Sequence, residues 1–375
     1  MTTSVRLLLA GDTALGGSLH GVRVEELTRR TESVRPLFAE ADLRFLSLDC
    51  AIGRVGDPVF PEEYLIDCEV DALNLLREWG VNVVSLANNH STDHGLTAML
   101  TGREHLRKAC TEVIGAGENA EEASACCVTE SGGLRLGWIG FASSHPWVGA
   151  VTATQNDAGV AALDPQCVLR AVETAKRSVD VVIVSLHWGK EYIPVPPPDN
   201  VRLARALIEA GAHVVVGHHP HVIQPIESYQ RGVICYSLGN FLFPDYPDQG
   251  LRFRGIASES LLVSVDVEPD GAVVAAVTPV HADGDGHLRV LPEARRQQIE
   301  TELAQVAADL GTTAGEQAWH RAVRRFEISR LRRVIREEVL DAGFRDGTSR
   351  LLRLGRKNLK SLGRSLGEII GGGQR

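Results

Sequence analysis

Residues 181–221 read VVIVSLHWGKEYIPVPPPDNVRLARALIEAGAHVVVGHHPH, and this stretch decides the fold. Two β-branched runs, at 179–186 and 213–216, flank a helical pattern at 200–210, for which Asp199 is the predicted N-cap. Polar residues follow each run, Ser185-Leu-His187-Trp188-Gly189 after the first and Gly217-His-His-Pro-His221 after the second. This order is typical of a layered α/β sheet that carries a site at the ends of its strands.

The same alternation extends through the first 280 residues. Further predicted strands are 5–10, 43–48, 81–86, 134–141 and 232–237, and further predicted helices are 71–79, 95–109 and 165–177. Two more strands, 258–267 and 272–281, are joined by the turn sequence Glu268-Pro-Asp-Gly271, which predicts a hairpin. From about Pro292 the pattern is helical. We therefore predict a catalytic domain at 1–290 and a helical, basic C-terminal extension at 291–375.

The chain of 375 residues carries 39 Lys and Arg against 48 Asp and Glu, a net charge of −9. This balance argues against a nucleic-acid partner, because nucleic-acid-binding domains are normally basic. No apolar run reaches the roughly 18–20 residues of a membrane helix. Seven cysteines, an odd number, and the absence of a CxxC motif argue against a disulfide framework. We therefore expect a cytoplasmic protein without a membrane span.

The charge is unevenly distributed along the chain. The segment 321–375 has 15 Lys and Arg and 6 Asp and Glu, a local charge of +9, so the preceding 320 residues carry −18. Within this segment, 349–366 is predicted to form a basic amphipathic helix. Two interpretations stay open for it: a surface helix packed on the body, or a docking element for an acidic partner or a membrane surface.

Polar residues follow five of the predicted strands and predict a metal site. They are Asp12, the Ser47-Leu-Asp49 segment, the 87–95 segment with Asn89 and His90, His187, and the 217–221 segment with His219 and His221. Carboxylates and imidazoles that are buried together suffer desolvation and repulsion unless a cation compensates them. We predict one or two divalent ions, and the oxygen and imidazole ligands are compatible with Mn, Zn, Fe, Co, Mg or Ca.

Five motifs resemble those of the bacterial CapA family, named for capsule poly-γ-glutamate synthesis. They are GDTALGG (11–17), SLANNHSTDHG (85–95), SLHWGKEY (185–192), GAHVVVGHHPHVIQ (211–224) and YSLGNFLF (236–243). The resemblance runs from about residue 6 to 243 and extends through the hairpin to 281. It implies a calcineurin-like metallophosphoesterase fold, which is a four-layer α/β/β/α sandwich.

The resemblance also implies roles for individual residues. Six would be metal ligands: Asp12 and His221 at a first ion, Asn89, His187 and His219 at a second, and Asp49 between them. Asp49 departs from the family, which usually has Asn-Leu-Glu at this point. His90 would be the acid/base histidine. The Asp-x-His element of phosphoesterases is incomplete, because Ala14 stands where its histidine would be; the first metal site is therefore short of a ligand.

Other residues of the same segments are candidates for the pocket. Asp93 lies three residues after His90 and is predicted to orient its imidazole. His218 and Glu191 are the candidates for a second proton-transfer group. Four residues in predicted loops over the site are candidates for contact with substrate: Trp147, Trp188, Lys190 and Tyr192. The alternative for each is that its side chain packs on the core.

Three functions are compatible with these features. In the first, a metal-activated water hydrolyses a phosphoester or a related bond, with His90 as the acid. In the second, acid/base groups exchange a proton at a peptide α-carbon next to a metal-polarised carbonyl. The chain is similar to the CapA-like epimerases that invert the C-terminal tryptophan of lasso-peptide precursors, so a peptide is the expected partner and substrate. The third is a non-enzymatic polymer- or peptide-binding subunit. The epimerase is our leading hypothesis, and no oligomeric state is predicted.

Overall fold

The structure is a computed structural model that describes residues 3–59, 64–109, 111–143 and 150–335. The strands are β1 (Val5–Thr13), β2 (Leu43–Leu48), β3 (Ala51–Ile52), β4 (Asp67–Cys68), β5 (Val83–Ser85), β6 (Glu112–Ile114), β7 (Ala116–Gly117), β8 (Cys127–Ser131), β9 (Leu134–Ala142), β10 (Gly159–Val160), β11 (Val181–His187), β12 (Val214–His218), β13 (Ile226–Tyr229), β14 (Gly232–Cys235), β15 (Asn240–Leu242), β16 (Glu259–Val267), β17 (Val273–Ala282) and β18 (Leu288–Val290). The α-helices are α1 (Val24–Arg30), α2 (Arg35–Ala39), α3 (Asn74–Glu78), α4 (Leu96–Lys108), α5 (Ala120–Ala123), α6 (Pro165–Ala175), α7 (Pro198–Ala210), α8 (Glu293–Ala307) and α9 (Thr313–Ile335). Short 3₁₀ helices lie at Gly17–Leu19, Glu32–Val34, Val70–Leu73, Pro247–Gln249 and Gly255–Ser258.

Two mixed sheets form the centre of the molecule. The first has the order β18-β17-β16-β1-β2-β5-β6, with β15 pairing with β1. Its strands β1, β2, β5 and β6 are parallel, whereas the β16–β17 hairpin and β18 run antiparallel. The second sheet has the order β13-β14-β12-β11-β9-β8, with four parallel central strands and antiparallel strands at both edges. Parallel strands end on the same side, which brings the polar segments that follow them together.

The two sheets stack face to face, and a layer of helices covers the outer face of each. Apolar side chains fill the space between each pair of neighbouring layers. Side chains such as Leu7, Phe45, Trp138 and Ile183 fill the space between the sheets. Helices α1 to α4 cover the outer face of the first sheet, and α6 and α7 cover the outer face of the second. This arrangement is the four-layer α/β/β/α sandwich, so the predicted fold class is confirmed.

Local sequence explains where the two helices that cover the second sheet begin. Pro165 opens α6, and the side chain of Asp164 caps it by accepting a hydrogen bond from Cys167 N. Asp199 is not the N-cap of α7, as we predicted, but lies in its first turn. The helix begins at Pro198, two residues before the predicted start, because proline has the backbone angle of a first helical residue already set.

The predicted strands and the hairpin are present with shifts of a few residues at their ends. The α-helix predicted at 71–79 is α-helical only from Asn74, where α3 begins. The preceding turn, Val70–Leu73, is a 3₁₀ helix. Several short elements were not predicted, among them the two-residue strands β3, β4, β7 and β10. Such strands carry too few residues for a periodic pattern.

Between residues 291 and 335 the chain forms two helices that pack against the preceding elements. Ile299 of α8 is buried in the apolar layer between the sheets, and α8 contacts β13 and β17. Helix α9 contacts α7, and Arg202 of α7 lies 3.4 Å from Glu316 of α9. The division at residue 290 stays a prediction, and the predicted basic helix 349–366 lies outside the described residues. Among the described helices, none has the length and apolarity to cross a membrane.

Candidate metal centre

The predicted ligands converge where the strands of both sheets end. Asp12 belongs to β1, Asp49 follows β2, and Asn89 follows β5 in the first sheet, while His187 ends β11 in the second. The close approach of β1 to the loop before β15 depends on Gly11, since a Cβ there would lie 2.1 Å from the carbonyl oxygen of Gly239. Asp12 N donates to that same oxygen at 2.9 Å. The absence of a side chain at residue 11 therefore helps to position Asp12.

The carboxylates of Asp12 and Asp49 are completely buried. Asp12 Oδ2 accepts a hydrogen bond from His219 N at 2.9 Å. Among the described residues, neither Asp12 Oδ1 nor either oxygen of Asp49 has a hydrogen-bond partner. Burial, together with the Asp49 charge, raises the pKa of Asp12, and burial raises the pKa of Asp49 to about 7. Buried carboxylate oxygens without a hydrogen-bond partner are unfavourable unless a cation compensates their charge, so they indicate a cation site.

Imidazole rings surround these carboxylates on the side of the second sheet. His187 Nδ1 lies 3.9 Å from Asp12 Oδ1, and His187 Nε2 lies 3.9 Å from Asp49 Oδ1 and 2.7 Å from Asn89 Oδ1. His221 Nε2 lies 3.9 Å from Asp49 Oδ2, while its Nδ1 lies 2.8 Å from Asn240 Oδ1. Burial lowers the pKa of His221 to about 4 and that of His187 well below its usual value. The rings are therefore neutral near pH 7, the form that binds metals.

The segment that carries His219 and His221 has a strained backbone. His219 has a φ of 92° and His221 a φ of 56°, both in the left-handed region that residues with a side chain rarely adopt. Such conformations persist only where the surrounding structure enforces them, and they are concentrated at functional sites. Here His219 N donates to Asp12, the ring of His219 lies 5.9 Å from that of His221, and His221 Nε2 lies 3.9 Å from Asp49 Oδ2.

The residues present fit a divalent ion. Asp12, Asp49 and His221 each offer a ligand atom, and these three atoms lie within 4.8 Å of one another. Glu191, His219 and His221 form a second such group. The donors are carboxylate oxygens and imidazole nitrogens, which suit Mn, Fe, Co and Zn. Ala14 is fully buried in the apolar layer beneath the helices of the first sheet. The shortage of a ligand at the first metal site stays a prediction.

His90 and Asp93 form a hydrogen-bonded pair at the edge of this centre. His90 Nδ1 lies 2.9 Å from Asp93 Oδ2, which also accepts a hydrogen bond from Ile66 N at 2.8 Å. Burial lowers the pKa of His90, but the Asp93 carboxylate outweighs it and the net pKa is about 9. The predicted orienting role of Asp93 agrees with this contact. The contact with Asp93 through Nδ1 therefore orients the ring and leaves Nε2 free of this partner.

Neighbouring residues hold this segment in place. Asn88, directly before the candidate ligand Asn89, donates to Leu48 O at 2.7 Å and accepts hydrogen bonds from His90 N and Ser91 N. The side chain of Asn88 therefore ties the His90 segment to the end of β2, next to Asp49.

Two of the predicted pocket residues are placed in the core. Trp188 is 1% exposed, stacks on Tyr236 and donates from Nε1 to Tyr236 O at 3.0 Å. It lies between the second sheet and its helices rather than in a loop over the site, because the strand pattern turns it to the outer face. His218 is also 1% exposed, and its ring lies 5.8 Å from that of Phe45 between the sheets. Its Nδ1 lies 3.5 Å from Asp12 Oδ1, and burial lowers its pKa to about 3, so the ring is neutral near pH 7.

The other pocket candidates lie in the loop between β11 and α7. Lys190 Nζ lies 3.1 Å from Glu327 of α9, and the ring of Tyr192 lies 6.0 Å from Phe326 of α9 and 6.1 Å from His221. Glu191, between them, is exposed and close to His219 and His221. Trp147 lies outside the described residues.

The sequence did not reveal the contributions of Asn240 and α9. Asn240 lies within the YSLGNFLF motif, and its side chain contacts Nδ1 of His221 and donates to Ala257 O at 2.9 Å. Phe326 and Glu327 carry no motif. Glu327 is 5% exposed, and because its burial arises only in the folded chain, nothing in the local sequence signals it.

Comparisons with known proteins agree with this arrangement. Residues 6–245 match the model of the family described as bacterial capsule synthesis protein PGA_cap. The chain is 30% identical over 285 residues to the capsule biosynthesis protein CapA of Bacillus anthracis, covering 72% of this chain and 66% of that protein. It is 31% identical over 276 residues to the PGA biosynthesis protein CapA of Bacillus subtilis, covering 71% of this chain and 70% of that protein.

Solved structures with a related arrangement are more distant. The calcineurin-like phosphoesterase YfkN from Bacillus subtilis has 13% identity and a TM-score of 0.42, covering 82% of this chain and all of that one. The NAD nucleotidase NadN from Haemophilus influenzae has 9% identity and a TM-score of 0.45, covering 81% of this chain and 63% of that one. Scores this low carry no conclusion about chemistry. The family match and the two CapA relatives are sufficient for the assignment: the chain belongs to the bacterial capsule synthesis protein PGA_cap family.

Proposed function

We propose that this chain is a metal-dependent peptide epimerase that inverts a Cα centre, with the C-terminal tryptophan of a ribosomal lasso-peptide precursor as the leading substrate. The observation that carries the proposal is the pairing of His90 with Asp93 beside a buried carboxylate and imidazole cluster. Such a pair can hand a proton to carbon or remove one from it.

The metal, when bound, would polarise the carbonyl next to the α-carbon and lower the free energy of the negative charge that develops there. Asp12, Asp49, Asn89, His187, His219 and His221 are the proposed ligands. Removal of the α-proton leaves an enolate, and return of a proton to the opposite face gives the inverted centre with no net change in atoms. His90 would serve one face. The two candidates for the other face are His218, which is buried, and Glu191, which is exposed.

Hydrolysis of a phosphoester is the second candidate, because the metal centre alone would support it. Ala14 argues against it, since the first metal would lack the histidine that the phosphoesterase motif provides. A role in poly-γ-glutamate synthesis is the third candidate and rests on the CapA relatives. The α-carbons of a glutamate polymer would offer the same chemistry, so the choice between these substrates depends on experiment.

The test is proton exchange. The purified protein is incubated in deuterium oxide with a peptide ending in tryptophan, with Mn²⁺ and separately with chelator, and the peptide mass is followed. We expect a gain of one deuterium at Cα that depends on the metal. Hydrolysis of a generic phosphodiester without exchange would refute the epimerase.

A variant pair assigns His90. His90→Ala is expected to keep its metal content and lose exchange, whereas His320→Ala, which removes an exposed imidazole on α9, is expected to change neither. Persistent exchange in His90→Ala would show that another group carries the proton.

A further inference from the structure

The loop between β11 and α7 is fastened to the histidine segment at two points. Trp188 N donates to His218 O at 3.1 Å, and Tyr192 N donates to Pro220 O at 2.8 Å. The loop is therefore held along the segment that carries His219 and His221. Glu191 lies between the two fastened residues.

Side chains on both sides of Glu191 are also held. Lys190 Nζ pairs with Glu327 at 3.1 Å, and Tyr192 packs on Phe326, so α9 fixes both neighbours. Tyr192 has a φ of 61°, and Gly189 has a φ of 90°, so the loop turns sharply before and after this residue. The position of Glu191 relative to the imidazoles is thus defined by backbone and side-chain contacts together.

The carboxylate of Glu191 faces the metal centre. One of its oxygens and one ring nitrogen each from His219 and His221 lie within 4.8 Å of one another. Ligand atoms bound at roughly 2.0–2.2 Å are separated by no more than about 4.4 Å, so small side-chain movements suffice to bring this group around one ion. His221 Nδ1 contacts Asn240, which leaves Nε2 as the nitrogen available for a metal.

From this geometry we infer that Glu191 is a metal ligand, bound to the same ion as His219 and His221. The side chain is exposed, so it closes the centre on the side that solvent and substrate reach. A carboxylate bound to a cation is not available as a free base, so in this role Glu191 leaves the second face of the α-carbon in the proposed epimerase to a group other than Glu191. The inference concerns how the ion is held and does not depend on which reaction the centre performs.

Metal binding is the direct test. Mn²⁺ affinity and stoichiometry are measured by titration calorimetry on the metal-free full chain, and coordination is followed by the visible absorption of bound Co²⁺. Three variants are compared with the parent: Glu191→Gln, Glu191→Ala and, as a matched control, Glu209→Gln, which removes an exposed glutamate of α7 that accepts a hydrogen bond from Tyr229. We expect both Glu191 variants to lose more than about tenfold in Mn²⁺ affinity and to change the Co²⁺ spectrum, because even groups that only support a ligand contribute about 10–100-fold.

The outcomes are separable from those for the proposed epimerase. If Glu191→Gln binds Mn²⁺ within about twofold of the parent, leaves the Co²⁺ spectrum unchanged and yet abolishes deuterium exchange, Glu191 is a proton-transfer group and the inference is wrong. If the variant loses affinity while the parent shows no exchange with any peptide, the ligand role stands and the epimerase proposal fails. Thermal melting of the metal-free proteins shows whether each variant is folded before it is titrated.

Discussion

Asp49 provides a sharp prediction, because its carboxylate is fully buried and neither oxygen has a hydrogen-bond partner among the described residues. Its pKa in the folded protein is about 7, against 3.8 for an ordinary aspartate, because burial disfavours the charge. A pKa that is raised on folding means that the proton stabilises the folded state. This stability is present below about pH 4 and is lost as the pH rises toward 7. The loss corresponds to about 4 kcal/mol at 1.36 kcal/mol per unit.

We therefore expect Asp49→Asn to stabilise the metal-free protein at pH 8. The amide carries no charge, but its buried NH₂ lacks an acceptor, which costs about 1–3 kcal/mol. The net gain in the free energy of unfolding should be about 1–3 kcal/mol. At pH 5 the gain should shrink, since the parent then keeps the proton on Asp49. Protonation of the buried histidines lowers the free energy of unfolding below pH 6.5. This contribution is the same in both proteins, so it cancels in the comparison.

The assay is urea unfolding with chelator at pH 8 and pH 5, repeated at pH 8 with saturating Mn²⁺. The metal should stabilise the parent and have much less effect on Asp49→Asn, which reverses their order. Asp266→Asn is the control, because it removes a partly exposed carboxylate paired with Arg6, for which about 0–1 kcal/mol is expected. If Asp49→Asn is less stable than the parent in chelator at pH 8, or if the difference is the same at pH 5, the buried charge is compensated and the reasoning fails.

Three further predictions address other parts of the site. Asp93→Asn should lower the pKa of His90 from about 9 and so move the acid limb of the pH–exchange profile to lower pH. It should also reduce the maximal rate by about 10²–10⁴-fold, because the imidazole loses its orientation. An acid limb at the same pH as in the parent would contradict the pairing of His90 with Asp93. Glu327→Gln should release Lys190, and exchange kinetics should show that the KM for peptide rises more than kcat falls. Equal changes in KM and kcat would instead indicate a general loss of structure. Gly11→Ala should destabilise the protein by more than about 2 kcal/mol in urea unfolding, since its Cβ would meet the Gly239 carbonyl, and a neutral effect would show that the strands can separate there.

The fold and the convergence of the candidate ligands could be predicted because their signals are local. A buried strand is a short β-branched run, and the polar residues that follow it, such as Asp12 or His187, are adjacent in sequence. Because parallel strands end at the same side of a sheet, these local signals also imply a common site. No long-range information was needed to bring Asp12, Asp49 and His221 together.

The remaining features depend on contacts between distant segments. Trp188 follows the ligand His187 directly, but its side chain turns to the opposite face of the sheet, because successive residues of a strand alternate. The contact of Lys190 with Glu327 joins residues 137 positions apart, and no periodicity in either segment signals it. The same holds for Asn240, whose contact with His221 requires the loop geometry that follows β12.

The two sheets contribute different donors to the centre, and this division has a consequence for stability. Asp12, Asp49 and Asn89 come from the first sheet, whereas His187, His219 and His221 come from the second. An ion held by both sets would join the two sheets at the ends of their strands. Without it, the two buried carboxylates repel each other, and the strained backbone at His219 and His221 adds to the cost. Metal removal should therefore loosen the strand ends of both sheets together, and hydrogen exchange should detect this as a correlated loss of amide protection in β1 and β12.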